Sequence, residues 1–154
     1  SGFEPVECGV ISYDPAQGAA IDRHKDDSWL WGERIATLSF AASTVMTFSV
    51  DTLNPAEWPS SSSPTPPTRA AEEAQREAQE EGSLVQIRVD LPRRSLLIMA
   101  GDCRNIWSHA IHRTDVLSRR VSVTFRELAA PFQSGGPHEA EGQRLLEKAS
   151  TFEG

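Results

Sequence analysis

Short stretches in which apolar and polar residues alternate one by one constrain the fold of this chain more than any other feature. The alternation is clearest at 46–50 and 84–91. Since successive side chains of a β-strand point to opposite faces of a sheet, it indicates strands with one buried face. Segment 95–100 is continuously apolar, which predicts a strand buried on both faces. Several such strands, separated by turn residues and with almost no helical pattern, indicate an all-β sandwich or jelly roll.

Composition and alternation predict the remaining elements. Further strands are expected at 3–13, 19–26 and 120–126, and two more between Arg34 and Val50 with a break near Ala41. The face of the first strand that we expect to be buried carries Val6, Cys8 and Val10. A C-terminal helix is expected after His138, with an apolar stripe formed by Leu145, Leu146, Ala149 and Phe152.

Residues 54–83 differ in composition from the rest of the chain. A run rich in Ser and Pro at 59–67 is followed by a stretch at 69–82 that is rich in Ala, Glu and Gln and has almost no large apolar side chain. Such a segment cannot bury enough apolar surface to offset the entropy lost on ordering. We therefore predict a long disordered insertion at 54–83 between two strands, with an ordered lid as the alternative.

The length and the first residue bear on domain organisation. A chain of 154 residues fits one domain with its own core, so we predict a single domain over 1–154. It begins with Ser1 rather than Met and enters strand-like sequence almost at once. We therefore expect a C-terminal fragment of a longer protein.

Charge and cysteine content narrow the function classes. The chain has 22 acidic and 15 basic residues, a net charge of −7. This argues mildly against a nonspecific nucleic-acid binder, which usually has a basic excess. No apolar run is long enough to cross a membrane, and we expect no signal peptide. Cys8 and Cys103, far apart in sequence, are expected to be reduced thiols of an intracellular protein.

Two histidine-bearing segments supply candidate metal ligands. The first contains His24 and Asp26, which share a face if the segment is extended. The second offers His109 or His112. Two imidazoles and one carboxylate form the facial triad of non-haem Fe(II) oxygenases, which leaves three coordination positions open. A His-x-Asp pair also arises by chance, so a solvated turn is the alternative.

Segment 120–126 carries a candidate anion site. One face of the predicted strand holds two guanidiniums and two hydroxyls, those of Arg120, Ser122, Thr124 and Arg126. The other face is apolar, with Val121, Val123 and Phe125. Guanidinium groups match carboxylates in geometry, so the polar face predicts the binding of a carboxylate. The alternative is a strand whose polar face is turned to solvent.

The order of these motifs resembles the signature of the AlkB family of Fe(II)- and 2-oxoglutarate-dependent dioxygenases. Tyr13 with the turn at 14–19 resembles the family's stretch before its first iron ligands, and segment 123–126 resembles its closing strand. Segments 20–34 and 109–113 are most similar to the homologue-four subfamily. The resemblance covers nearly the whole chain outside the insertion.

The resemblance implies a role for each candidate residue. The implied iron ligands are His24, Asp26 and His109. His112 is expected to lie outside this set. Arg120, helped by Tyr13, would pair with the distal carboxylate of 2-oxoglutarate, and Arg126 would lie near the other end of this co-substrate or near the substrate. The implied cofactors are Fe(II), 2-oxoglutarate as co-substrate and O2.

The family also implies an activity, oxidative removal of N-methyl groups with release of formaldehyde, succinate and CO2. The subfamily implies a methylated protein lysine, on actin or an actomyosin-associated protein, in the cytoplasm and nucleus and without a membrane partner. Demethylation of N6-methyladenine in DNA is the competing activity.

Two other function classes remain open. One is a non-catalytic jelly-roll interaction module whose triad no longer works. The other is a zinc hydrolase, which would need a general base near the metal and would gain nothing from two arginines. For Trp29 and Trp31, ordinary packing competes with a wall beside the metal that recognises substrate.

Overall fold

The computed structural model describes residues 2–51 and 84–151. In these ranges the chain forms eight β-strands and two α-helices, with three short 3-10 helices. The strands are β1 (Pro5–Tyr13), β2 (Ile21–His24), β3 (Trp31–Phe40), β4 (Thr44–Asp51), β5 (Leu84–Leu91), β6 (Leu96–Met99), β7 (Ser108–Ile111) and β8 (Arg120–Leu128). The helices are α1 (Asp102–Asn105) and α2 (Glu139–Ser150). The predicted disordered insertion at 54–83 lies outside the described residues.

The strands form two four-stranded antiparallel sheets. The first sheet has the order β1-β8-β3-β6 and the second has the order β2-β7-β4-β5. Neighbours in each sheet are mostly distant in sequence, as expected when strands alternate between two sheets. The expectation of an all-β jelly roll with a C-terminal helix is confirmed.

The hydrophobic core lies between the two sheets. The first sheet contributes Tyr13, Ile35 and Met99, and the second contributes Met46, Phe48, Leu91 and Ile111. Each of these side chains is at most 5% exposed. The inward face of the first sheet is not wholly apolar, because β8 directs Arg120 and Ser122 into the same interior.

Two predictions about strand faces are wrong. Val10 is 65% exposed, so β1 turns its apolar face outward and buries Tyr13 instead. β6 is not buried on both faces, since Leu96 and Ile98 are 55% and 57% exposed and only Met99 is fully buried. Both strands lie at the edges of the first sheet, and the outer face of that sheet is apolar.

The predicted break between two strands is confirmed. β3 ends at Phe40 and β4 begins at Thr44, and the turn between them holds Ala41 at a φ of 64°. The C-terminal helix packs on the short 3-10 helix Ala130–Phe132, where a Cβ at Gly142 would collide with the carbonyl of Phe132. Of the helices in the described ranges, none has the length and apolarity needed to span a membrane.

Candidate active site

Strand pairing brings the two candidate histidine ligands together. His24 is the last residue of β2 and His109 the second of β7, and they are direct partners in the antiparallel ladder. Their ring centroids are 4.4 Å apart, with the planes inclined by 53°. Paired residues of an antiparallel ladder point to the same face, so both imidazoles can reach one point in space.

Asp26 completes this group from outside the strand. β2 ends at His24, so Asp26 lies in the loop before β3 and not in the extended segment that the sequence suggested. Its Oδ2 is nevertheless 3.6 Å from Nε2 of His109. One ligand atom from each of the three residues lies within 4.8 Å of the others. His112 is exposed beside a short 3-10 helix and does not belong to this group.

The two imidazoles carry lone pairs suited to a metal ion. Burial is the largest of the effects that lower the pKa of His109 to about 4, and the neighbouring His24, Arg104 and Arg126 act in the same direction while Asp26 opposes them. The ring is therefore neutral at physiological pH. Nδ1 of His24 lies 2.8 Å from the carbonyl oxygen of Asp22. A proton on Nδ1 would donate to that oxygen and leave Nε2 free to bind a metal.

Arg126 orients the Asp26 carboxylate. Its Nε and Nη2 both donate to Oδ1 of Asp26, at 3.2 and 2.8 Å, which leaves Oδ2 facing the histidines. Its Nη1 donates to Glu7 at 2.8 Å, and its guanidinium lies 5.8 Å from the ring centroid of Trp31. The sequence suggested a place near the co-substrate or the substrate; the structure places Arg126 against an iron-ligand candidate.

Arg120 forms a second, separate part of the site. Its side chain is 1% exposed, and its guanidinium carbon lies 4.9 Å from the ring centroid of Tyr13. Nη2 donates to Ser39 at 3.0 Å, whereas Nε and Nη1 have no acceptor among the described residues. A buried cation with two unused donors is costly unless an anion pairs with it. The polar face of β8 is therefore turned inward, and the solvent-facing alternative is wrong.

Other polar side chains lie on the same sheet as this cation. Burial raises the pKa of the Tyr13 phenol, and hydrogen bonding to Ser122 and the charge of Arg120 partly oppose that rise. The hydroxyls of Thr37 and Thr124 lie 3.0 Å apart and hydrogen-bond to each other. The inner face of the first sheet thus combines a buried positive charge with polar side chains, and this combination suits a carboxylate.

Several contributors to the site were missed in the sequence. Ser39 accepts from Arg120, Glu7 accepts from Arg126, and Arg104 donates to backbone carbonyls of the Asp26 loop. Inward alternation along β1 and β3 could have identified Glu7 and Ser39, but Arg104 lies in a four-residue helix without a periodic signal. Trp29 is 65% exposed and contacts Phe132 at 6.2 Å between ring centroids.

Comparison with known proteins agrees with this geometry. The model of the 2OG-Fe(II) oxygenase superfamily matches residues 1–126. Similar proteins include alpha-ketoglutarate-dependent dioxygenase alkB homolog 4 of Mus musculus, 40% identical over 99% of this chain and 51% of that protein. The protein of the same name in Homo sapiens gives the same values. The DNA N6-methyl adenine demethylase of Caenorhabditis elegans is 28% identical over 94% of this chain and 40% of its own length. The chain spans about half the length of these relatives or less.

Proposed function

The chain belongs to the AlkB family of the 2OG-Fe(II) oxygenase superfamily, and we propose that it forms the catalytic core of an enzyme that removes N-methyl groups by oxidation. One observation carries the proposal. Three metal-ligand candidates occur in one jelly roll with a buried arginine, Arg120, whose Nε and Nη1 have no acceptor in the part of the chain that the structure describes. A zinc hydrolase would use the ligands but not the arginine.

One group of residues in the site would bind the metal, and another would bind the co-substrate. His24, Asp26 and His109 would hold Fe(II), since two imidazoles and a carboxylate suit this ion and leave coordination positions for ligands. Arg120 would pair with the distal carboxylate of 2-oxoglutarate through Nε and Nη1. Bound Fe(II), with 2-oxoglutarate and O2, supplies the oxidant that converts an N-methyl group to formaldehyde, with succinate and CO2 as the other products.

The chain itself fixes positions and charges. Arg126 holds Oδ1 of Asp26, so the carboxylate presents Oδ2 and cannot rotate freely. Ser39 and the ring of Tyr13 hold the Arg120 guanidinium at the end of β8. These contacts fix the site before a ligand binds, and such preorganisation lowers the entropic cost of binding and reaction.

For the substrate, we propose a methylated protein lysine of the actin or actomyosin-associated type. The net charge of −7 supports a protein substrate over a polyanion, because DNA binding draws on basic surfaces. The resemblance of segments 20–34 and 109–113 to the homologue-four subfamily supports the same choice. We propose a cytoplasmic and nuclear location with this substrate class.

The second candidate is demethylation of N6-methyladenine in DNA. The relative from Caenorhabditis elegans that is named a DNA N6-methyl adenine demethylase, 28% identical to this chain, favours it. A non-catalytic interaction module is a third candidate, but it gives no reason for the unpaired donors of Arg120.

The test is a competition between substrate classes. Full-length protein is incubated with Fe(II), 2-oxoglutarate and O2 together with a methyl-lysine actin peptide or an N6-methyladenine DNA oligonucleotide, and mass spectrometry follows each. We expect a mass loss of one methylene from the peptide alone. Methylene loss from DNA alone would favour the second candidate, and failure of Mn(II) to bind in a calorimetric titration would favour the non-catalytic module.

A further inference from the structure

The carboxylate of the proposed iron site depends on a loop for its position. His24 and His109 are fixed by the β2–β7 ladder, but Asp26 lies beyond the end of β2, in a segment with no regular backbone hydrogen bonding. The hydrogen bonds from Arg126 to Asp26 go to its carboxylate and not to its backbone. Another group must therefore hold the loop backbone so that Asp26 stays within reach of the histidines.

Arg104 makes the contacts that this requires. It lies in α1 and is 3% exposed. Its Nη1 donates to the carbonyl of Asp26 at 2.8 Å, and its Nη2 donates to the carbonyls of Asp27 at 2.7 Å and, more weakly, Trp31 at 3.4 Å. Nε has no acceptor among the described residues, so the hydrogen bonds of this side chain go to the loop.

The short helix α1, which carries Arg104, is itself held in place by other contacts. Glu33 of β3 accepts from the backbone N–H of Gly101 at 2.6 Å and from the side chain of Asn105 at 3.1 Å, and so holds both ends of α1. β7, with His109, follows α1 closely. One short segment of chain therefore carries a metal-ligand candidate directly and holds a second one through its backbone.

Burying a guanidinium that binds carbonyls rather than a carboxylate has a high cost in free energy for the stabilisation of a turn. Burial lowers the pKa of Arg104, and the nearby Asp26 is the main group that opposes this. Apolar packing could fix a loop without burying a charge. We propose that Arg104 is a positioning residue for the metal site, which acts through the backbone of Asp26 and sets the affinity for the ion.

This inference rests on the proposed function, so its experiment first tests metal binding by the parent protein. Mn(II) affinity is measured by calorimetry for the parent, Arg104→Met and Arg104→Lys. Arg88→Met is the matched control, since Arg88 forms an ion pair with Asp115 at the surface and its side chain is 54% exposed. We expect Arg104→Met to bind Mn(II) about 10- to 100-fold more weakly, the usual effect of losing a group that orients a ligand.

Arg104→Lys keeps the buried charge but cannot span two carbonyls with a planar fork, so it should also bind Mn(II) about 10-fold more weakly. Arg104→Lys therefore tests the inference even if Arg104→Met does not fold. Arg88→Met should bind like the parent.

A double-mutant cycle separates positioning from general weakening of the fold. Ni(II) binds imidazole ligands more tightly than Mn(II) does, so we expect the two histidines to keep a measurable affinity for it when Asp26 is replaced by Ala. Ni(II) affinity is therefore compared with and without Arg104→Met, in the parent and in Asp26→Ala. If Arg104 acts through Asp26, its replacement should lower affinity in the parent but not in Asp26→Ala, where the change only removes a positive charge near the ion.

The outcomes are distinct. An equal loss of Ni(II) affinity in both backgrounds would show that Arg104 supports the whole fold, and parental Mn(II) affinity in both Arg104 variants would also overturn the inference. A parent protein that binds neither ion would contradict the proposed function itself.

Discussion

Arg120 lies over the ring of Tyr13, and the two residues are direct partners at one end of the β1–β8 ladder. The guanidinium carbon is 4.9 Å from the ring centroid, which is within the range of a cation–π contact. This contact and the hydrogen bond to Ser39 hold the guanidinium while Nε and Nη1 remain unused. The guanidinium is therefore held in position before an anion binds.

Replacing Arg120 should remove the affinity for 2-oxoglutarate and leave metal binding intact. We expect Arg120→Met to raise the dissociation constant about 100-fold, on the order of 3 kcal/mol for a lost charged partner. The ligand-free protein should be no less stable, since an apolar side chain replaces a buried charge with two unpaired donors. Titration of the Mn(II)-loaded protein with 2-oxoglutarate and a thermal melt measure the two effects.

Two further variants make this experiment decisive. Arg120→Lys should remain defective, because an ammonium cannot bind a carboxylate through a planar fork. Arg119→Met is the control, since Arg119 is the exposed neighbour in sequence. Parental affinity for 2-oxoglutarate in Arg120→Met would show that Arg120 does not bind this anion.

Replacing each of the two histidines of segment 109–112 should affect Mn(II) binding to a different extent. His109→Ala removes a ligand candidate whose Nε2 lies 3.6 Å from Asp26, so Mn(II) binding should be abolished. His112→Ala should change the affinity by less than about 10-fold, because His112 is exposed and orients no ligand. Calorimetry measures both, with circular dichroism as the control for folding. Comparable losses in both variants would mean that the ligand set is misassigned.

Replacing Arg126 should lower the rate of succinate formation more than it weakens the affinity for 2-oxoglutarate. Arg126→Met frees Oδ1 of Asp26, so the carboxylate can rotate away from the metal. The same change removes a positive charge that repels the ion, and the two effects on Mn(II) affinity oppose each other. We expect succinate formation at saturating 2-oxoglutarate to fall more than about 10-fold, while the dissociation constant for 2-oxoglutarate rises far less than in Arg120→Met. The reverse pattern would place Arg126 on the co-substrate.

Sequence alternation predicted the strands better than it predicted which faces are buried. β5 and the break at Ala41 are found where expected. The faces of β1 and β6 could not be assigned, because the first sheet is apolar on its outer side and carries charges on its inner side. Alternation gives the period of a strand and not the side on which the core lies.

The residues of the candidate site could be predicted from the sequence for a different reason. His24, Asp26 and Arg120 belong to motifs that each left an alternative open, but their order along the chain resembles that of the AlkB family and this resemblance implied their roles. The contribution of Arg104 could not be read in this way, because it binds backbone carbonyls, and every residue type offers a carbonyl. These backbone acceptors can be identified only in the folded structure, where α1 lies against the loop.

The hairpin formed by β4 and β5 leads to a last prediction, which concerns the chain between them. Asp51 and Leu84 are direct partners at the end of the β4–β5 ladder. Antiparallel strands that end side by side can be joined by a loop of two to five residues, and a longer flexible loop adds only about 0.6 kcal/mol per doubling. Replacing residues 55–82 with a short Gly-Ser linker should therefore leave the melting temperature and the Mn(II) affinity nearly unchanged. The same replacement with Val50→Asp is the control, since Val50 is 1% exposed in β4 and burying a charge there should unfold the protein. A fall of more than about 8 °C in the linker variant alone, on the order of 2–4 kcal/mol for a domain of this size, would show that the replaced segment stabilises the fold and would contradict the composition argument.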